Sequence, residues 1–242
     1  FWLSADENNA PQSAHSLSLS ASTSLFGGRY RLAGDLFYKR LYNQIEYGGN
    51  IFDVISSSYQ LQDNLLHGNG RNYGFSLMLH KCTGDLTGWV SYTYTNARRK
   101  FKEMDPDSSF PATHERPHEL KAVLMYSPWK HWDFGATAVY ASGTPFTLPE
   151  SIALINGNIL TQYGEYNSNR LRPYFRTDIS VNYKWFSRRV KEHGINLSLY
   201  NVSCMNNHLF WKIKIKDDMQ FAYRPVSFVV RILPSISYYC KF

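Results

Sequence analysis

Five consecutive residues, His114-Glu115-Arg116-Pro117-His118, spell the H-E-x-x-H pattern in which two histidines hold zinc and the glutamate acts as general base. That chemistry needs both histidines on one helical face. Pro117 removes a helical N–H and its ring clashes with the preceding turn. A strand pattern begins immediately afterwards, so we expect a loop entering a strand and assign no metal site. His67 and His208 are the loop histidines best placed to ligate a metal or haem, and a solvated role is the plainer reading for each. No Ser-His-Asp order, carboxylate pair or phosphate-cradling glycine loop stands out. No catalytic residue and no cofactor is expected, and the chain reads as a non-enzyme.

The stretch 143–172 carries Tyr163, Tyr166, Asn167, Asn169 and Arg170, types that suit polar ligand contacts at loop tips. Trp211, with Lys212 and Lys214, falls on an expected external extension of the last strands. Packing of loop against loop is the competing reading for all of these. Arg176, Asp178 and Lys184 alternate along one strand and are expected to line a polar lumen. There they would meet either a domain inside it or each other across neighbouring strands. Cys82, Cys204 and Cys240 are odd in number and widely spaced, which gives no disulfide framework and no zinc pair.

Nine strand candidates position these groups, separated by Gly, Asn, Asp and Pro clusters. They fall at about 14–25, 29–47, 70–81, 86–96, 117–126, 131–142, 175–185, 195–215 and the terminus from 235. The seventh alternates most clearly: Phe175, Thr177, Ile179, Val181, Tyr183 and Trp185 oppose Arg176, Asp178, Ser180, Asn182 and Lys184. The last sets Ile236, Tyr238, Cys240 and Phe242 against Ser235, Ser237, Tyr239 and Lys241. Side chains alternate faces with period two. Burying the polar set in hydrocarbon would cost about 2–4 kcal/mol per basic residue, so each register has one orientation. Mean hydropathy is −0.39, yet hydropathy is blind to membrane barrels because lumen-facing and lipid-facing residues cancel. The 18 Tyr, 15 Phe and 6 Trp fit aromatic girdles at two interfaces.

Net charge is +7, but the basic residues are spread over strands and loops, so nucleic-acid binding is not expected. Charged loops facing a phosphate-rich outer leaflet account for it. Connections alternate: short after strands one, three, five and seven, longer after two, four and six. Membrane barrels place short turns in the periplasm and long loops outside, which puts the C-terminus in the periplasm. An autonomous bacterial barrel has an even strand number, so nine strands read as the C-terminal part of a larger one. The chain opens FWLSADENNA, so a cleaved leader or a longer parent protein is expected.

Ordered motifs then suggest a family. Asn9-Ala10-Pro11-Gln12-Ser13-Ala14-His15 precedes strand one, Asp35-Leu36-Phe37-Tyr38-Lys39 lies in strand two, and Gly88-Trp89-Val90-Ser91-Tyr92-Thr93 in strand four. Phe110-Pro111 is followed by His114 through Leu120, and then Ser142-Gly143-Thr144-Pro145-Phe146-Thr147. Asn169-Arg170-Leu171-Arg172-Pro173-Tyr174-Phe175-Arg176-Thr177-Asp178, Leu199-Tyr200-Asn201-Val202 and Leu233-Pro234-Ser235-Ile236-Ser237-Tyr238 complete the set. In order and spacing over nearly the whole chain, these resemble the C-terminal barrel half of a TonB-dependent outer-membrane receptor. The resemblance implies an all-β, antiparallel transmembrane barrel of 22 strands, the last nine of them here. Residues 1–242 would be the C-terminal portion, with the plug domain and N-terminal strands outside the chain. It further implies TonB acting through the missing N-terminal part, outer-membrane lipid and lipopolysaccharide around the barrel, and a surface lipoprotein partner. Its function would be import of a scarce nutrient such as a ferric siderophore, haem, cobalamin, a glycan or a peptide. Tyr238 and Phe242 would form a C-terminal assembly signal. Two rivals remain: a split or remnant barrel with a structural role in an envelope complex, and a small autonomous barrel enzyme.

Overall fold

Period-two alternation dominates the molecule, and every regular element among the described residues is a strand. The computed structural model describes residue 5 and residues 9–47, 65–104, 107–155, 158–188, 190–215, 221–227 and 231–242. The elements are β1 (Ser13–Leu25), β2 (Tyr30–Tyr47), β3 (Leu65–Lys81), β4 (Leu86–Phe101), β5 (Phe110–Pro111), β6 (His118–Trp129), β7 (Trp132–Ala141) and β8 (Pro145–Phe146). They continue with β9 (Pro149–Ile155), β10 (Asn158–Tyr163), β11 (Asn169–Arg170), β12 (Tyr174–Trp185), β13 (Glu192–Tyr200), β14 (His208–Ile215), β15 (Phe221–Ser227) and β16 (Leu233–Lys241).

Nine long strands form one antiparallel path, β1-β2-β3-β4-β6-β7-β12-β13-β16, with β5 paired to β4 off the path. β8 with β11, β9 with β10 and β14 with β15 make three separate two-stranded sheets. The path leaves β1 and β16 as its edges. Four tight connections lie at one end. The first, Phe26-Gly27-Gly28, has φ of 54°, 66° and 85°, a left-handed run that glycine enters without a Cβ clash. The longer connections lie at the opposite end.

One face of the sheet is apolar and exposed. Leu19 (70%), Leu36 (56%), Leu124 (46%) and Ile236 (72%) belong to it. On a soluble protein this would be an aggregation surface; in a bilayer it is the surface that meets lipid. Rings mark its two margins. At the turn end Trp132 and Phe134 stack at 6.2 Å, Trp132 meets Tyr183 at 4.8 Å, Trp185 stacks on His193 at 5.2 Å, and Trp185 reaches Tyr238 at 6.2 Å. At the loop end Phe75, Tyr92, Tyr94 and His118 form a second group. Trp132 and Tyr140 bracket the band on β7. Eight residues of strand tilted by about 40° span roughly 20 Å of membrane normal, near the height of an outer-membrane apolar band.

Several expected boundaries shift. β3 begins at Leu65 and β4 runs to Phe101, so both outrun the lipid band by several residues. The expected turn at 127–130 is still strand through Trp129, with Pro128 absorbed at a register shift between Tyr126 and Trp129. The stretch 195–215 is two elements, since the chain turns at 201–203. There Asn201 adopts φ 56°, and its side-chain amide donates to the carbonyls of Met205 and Arg231. The long connection 143–172 contains β8, β9, β10 and β11 rather than plain loop.

Candidate functional site

The described residues form no globular core. Among the described residues the buried apolar side chains are Leu65, Ala97, Phe101, Phe110, Ala112, Ala141, Tyr166 and Leu171, and they gather at the loop end. Phe101, Phe110 and Tyr166 form the cluster, with Tyr166 edge-on to both phenyl rings at 5.7 and 6.0 Å.

Buried polar groups knit this cluster together. Glu115, 2% exposed, follows a turn in which its N–H donates to the Ala112 carbonyl at 2.8 Å. Its Oε1 accepts from the Ala97 N–H at 2.9 Å, and its Oε2 forms an ion pair with Arg170 Nη2. Arg170 Nη1 donates to the Gly143 carbonyl at 3.1 Å. Asn167 takes φ 53°, and its side-chain amide donates to the Pro111 carbonyl at 2.9 Å and to Thr113 Oγ1 at 3.3 Å. The Tyr166 hydroxyl donates to Glu46 Oε2 at 3.0 Å. Burial, and then the charge of Glu46, raises the Tyr166 phenol well above its ordinary range, which keeps it a neutral donor. Arg99, 4% exposed, donates to Asn72 Oδ1 at 2.8 Å.

Of the expected ligand residues, Tyr166 and Asn167 are buried in this network, and Arg170 is tied into it while partly exposed. Tyr163 and Asn169 are partly exposed on the same connection. Trp211 sits on β14, opposite Pro225 of β15, and its side chain lies outside the described residues. Arg176, Asp178 and Lys184, expected to line a polar lumen, alternate along β12. Arg176 pairs with Asp178 at 3.1 Å, and Lys184 pairs with Asp133 of β7 at 2.7 Å. Asp178 also accepts from Thr137 Oγ1 at 3.0 Å and from the Asn201 N–H at 2.9 Å, joining β7, β12 and the turn after β13. Arg176 lies over the Tyr200 ring at 4.7 Å. Lys184 therefore pairs across strands, whereas Arg176 and Asp178 pair along β12 itself. Tyr238 is 60% exposed on β16 and Phe242, one residue past its end, is 81% exposed, and Tyr238 OH lies 2.6 Å from His193 Nδ1.

The histidines separate. His114 is exposed, while His118 Nδ1 lies 2.8 Å from Tyr92 OH on the lipid side. His67 belongs to β3, not to the loop expected there, with its ring nitrogens 3.2 Å from Glu103 Oε1 and 3.2 Å from Asn9 Oδ1. His208 lies on β14, where burial and then Arg172 hold its imidazole below the usual value. Glu46, Arg99 and Asp133 were not singled out from the sequence. Asp133 was findable, since it sits between lipid-facing Trp132 and Phe134 and so must face the lumen. The partners of Glu115 were not findable, because β4 and two connections distant in sequence converge on it.

A family model described as TonB dependent receptor-like, beta-barrel matches residues 3–202. Three solved structures share the fold. The ferric-catecholate import receptor Fiu of Escherichia coli K12, closed form, is 16% identical with a TM-score of 0.58 over 97% of this chain. The ferripyoverdine receptor of the outer membrane of Pseudomonas aeruginosa, bound to ferripyoverdine, is 12% identical with a TM-score of 0.55 over 89%. The FrpB iron transporter of Neisseria meningitidis is 16% identical with a TM-score of 0.54 over 96%. The chain covers 29%, 26% and 31% of those structures respectively. No curated protein sequence matches it.

Proposed function

We propose, because the chain belongs to the TonB-dependent receptor β-barrel family, that it forms part of a ligand-gated importer of a scarce nutrient across the bacterial outer membrane. The observation that carries this reading is a wall with two unlike faces: an exposed apolar face between two aromatic margins, and an opposite face of paired charges. Such a wall separates lipid from a polar lumen. In this reading the lumen holds a plug domain, and TonB engages that part of the protein. The edges of β1 and β16 join the remaining barrel strands, supplied by the same chain or a separate one, because unpaired ladder groups are not tolerated in hydrocarbon. The tight turns lie in the periplasm with the C-terminus, and the loop-end network faces outward toward lipopolysaccharide and a surface lipoprotein. Residues 1–242 are then the C-terminal portion of the barrel.

Ferric siderophores lead the ligand classes, since the structural neighbours include receptors named for ferric catecholate and ferripyoverdine. Haem, cobalamin, glycans and peptides follow. Tyr163, Asn169, Arg170 and Trp211 are the contacts we propose, held up by the floor that Tyr166 and Asn167 build. Tyr238 and Phe242 serve as the assembly signal, and deleting Phe242 lowers the yield of inserted barrel. Cells expressing the full-length protein should accumulate at least one of a ferric catecholate, ferripyoverdine, haem or cobalamin. That uptake should vanish in a strain without TonB. Uptake that persists without TonB, or none of these ligands taken up, overturns the reading.

A further inference from the structure

We infer that the lipid-facing side of β6, β7 and β12 holds one glycerophospholipid with an anionic headgroup, seated as a specific ligand rather than as bulk solvent. A groove of about 520 Å³ opens there, lined by Leu86, Leu124, Phe134, Ala136, Ile179 and Val181. Register explains its shape. Leu86, Tyr126, Phe134 and Val181 stand in one row across β4, β6, β7 and β12. In the next row Ala136 stands between Leu124 and Ile179, so a methyl group occupies the floor between two large side chains. The volume suits an acyl chain, and the lining is almost wholly apolar, with Ser180 as its polar member.

The end of the groove supplies the charge. Phe134, at its lower margin, stacks on Trp132 at 6.2 Å and meets Trp129 at 6.4 Å. Between those two tryptophans the chain turns through Lys130, whose Nζ sits 5.1 Å from the Phe186 ring of the neighbouring turn. Arg188 and Lys191 are exposed on that same neighbouring turn. Two acids beside these turns, Asp133 and Glu192, are engaged by Lys184 and Lys241. A third, Asp85, is exposed in the adjacent hairpin, where its carbonyl accepts from the Ser127 N–H at 2.8 Å. An apolar groove therefore leads through an aromatic margin to exposed cations, the order of an acyl chain, its ester region and an anionic headgroup. His131 helps to fix the turn, donating from Nδ1 to the Lys184 carbonyl at 2.6 Å.

The choice of a glycerophospholipid over lipopolysaccharide rests on the proposed orientation, which places the tight turns in the inner leaflet. The test uses full-length protein, stripped of lipid in mild detergent and offered dimyristoylphosphatidylglycerol, dimyristoylphosphatidylcholine or lipopolysaccharide. Native mass spectrometry counts the bound equivalents. One equivalent of the phosphatidylglycerol should be retained about tenfold more tightly than the phosphatidylcholine. Lys130→Gln and Ala136→Phe should each remove that preference. Heat-modifiable migration verifies that both variants are folded, and quenching of tryptophan emission by brominated phosphatidylglycerol gives a second readout in the unmodified protein. Equal retention of the two phospholipids, or a preference untouched by Ala136→Phe, overturns the site and leaves only annular lipid. Retention of lipopolysaccharide in place of phosphatidylglycerol overturns the lipid assignment together with the orientation beneath it.

Discussion

Glu115 ties three segments of chain to one carboxylate: the end of β4 through the Ala97 N–H, its own turn, and Arg170. Removing one partner of a buried pair leaves the other groups without compensation. Glu115→Ala should therefore cost about 3 kcal/mol of loop-end stability, and Tyr166→Phe, which strips a donor from Glu46, about 2 kcal/mol. Limited proteolysis across 143–172 reads both, and unchanged cleavage rates would refute the latch. His67 and Glu103 give a pH prediction at the same end. Burial pushes the Glu103 carboxyl up, but the hydrogen bonds from the His67 N–H and ring outweigh it and hold the group below its ordinary value. A depressed carboxyl contributes stability that is complete above the ordinary carboxylate range and is lost as pH falls through the lowered value. Protection factors for amide exchange around residues 67 and 103 should stay constant at neutral pH and fall only in acid below about pH 4. In the sequence Glu115 is visible only as the middle of a metal-like motif. Its role depends on Ala97 and Arg170, which no local pattern brings to it.

Strand faces were legible because lipid and lumen impose opposite chemistry on alternate residues. The nine strands of the path follow from that rule alone. The break at Asn201 was not legible, because neither Gly nor Pro interrupts the stretch and the apolar alternation resumes beyond it. Its signal was the asparagine itself, a residue that enters left-handed backbone more readily than others. Terminal strand packing adds a test. The Tyr239 ring lies against Gly194, where a Cβ would clash with a ring carbon, and the Tyr239 hydroxyl bonds Asn182 and Glu192. Gly194→Val should lift the ring, break both bonds and weaken the β13–β16 pairing. A lower melting temperature with unchanged strand content is the expected reading, and a wild-type melt would sink it.

Over the whole molecule, the alternation of tight turns and long connections makes the two ends chemically distinguishable. Cys82 lies at the turn end and Cys204 at the loop end. With each kept as the sole cysteine, a membrane-impermeant maleimide on intact cells should label Cys204 and spare Cys82. The opposite pattern reverses the orientation. An intact mass well above 28.1 kDa from extracted membranes should accompany it if one chain closes the barrel. A mass near that value instead points to a second chain.

The hydroxyl of Tyr166 reaches a carboxylate 120 residues earlier in the chain. That separation has a kinetic meaning. The tight hairpins close locally and early, whereas a contact spanning most of the sheet must wait until every intervening strand has found its neighbour. The loop-end floor is thus a clock on assembly: it sets last, after the wall beneath it stands, and its formation marks the moment at which the distant strands are all in place.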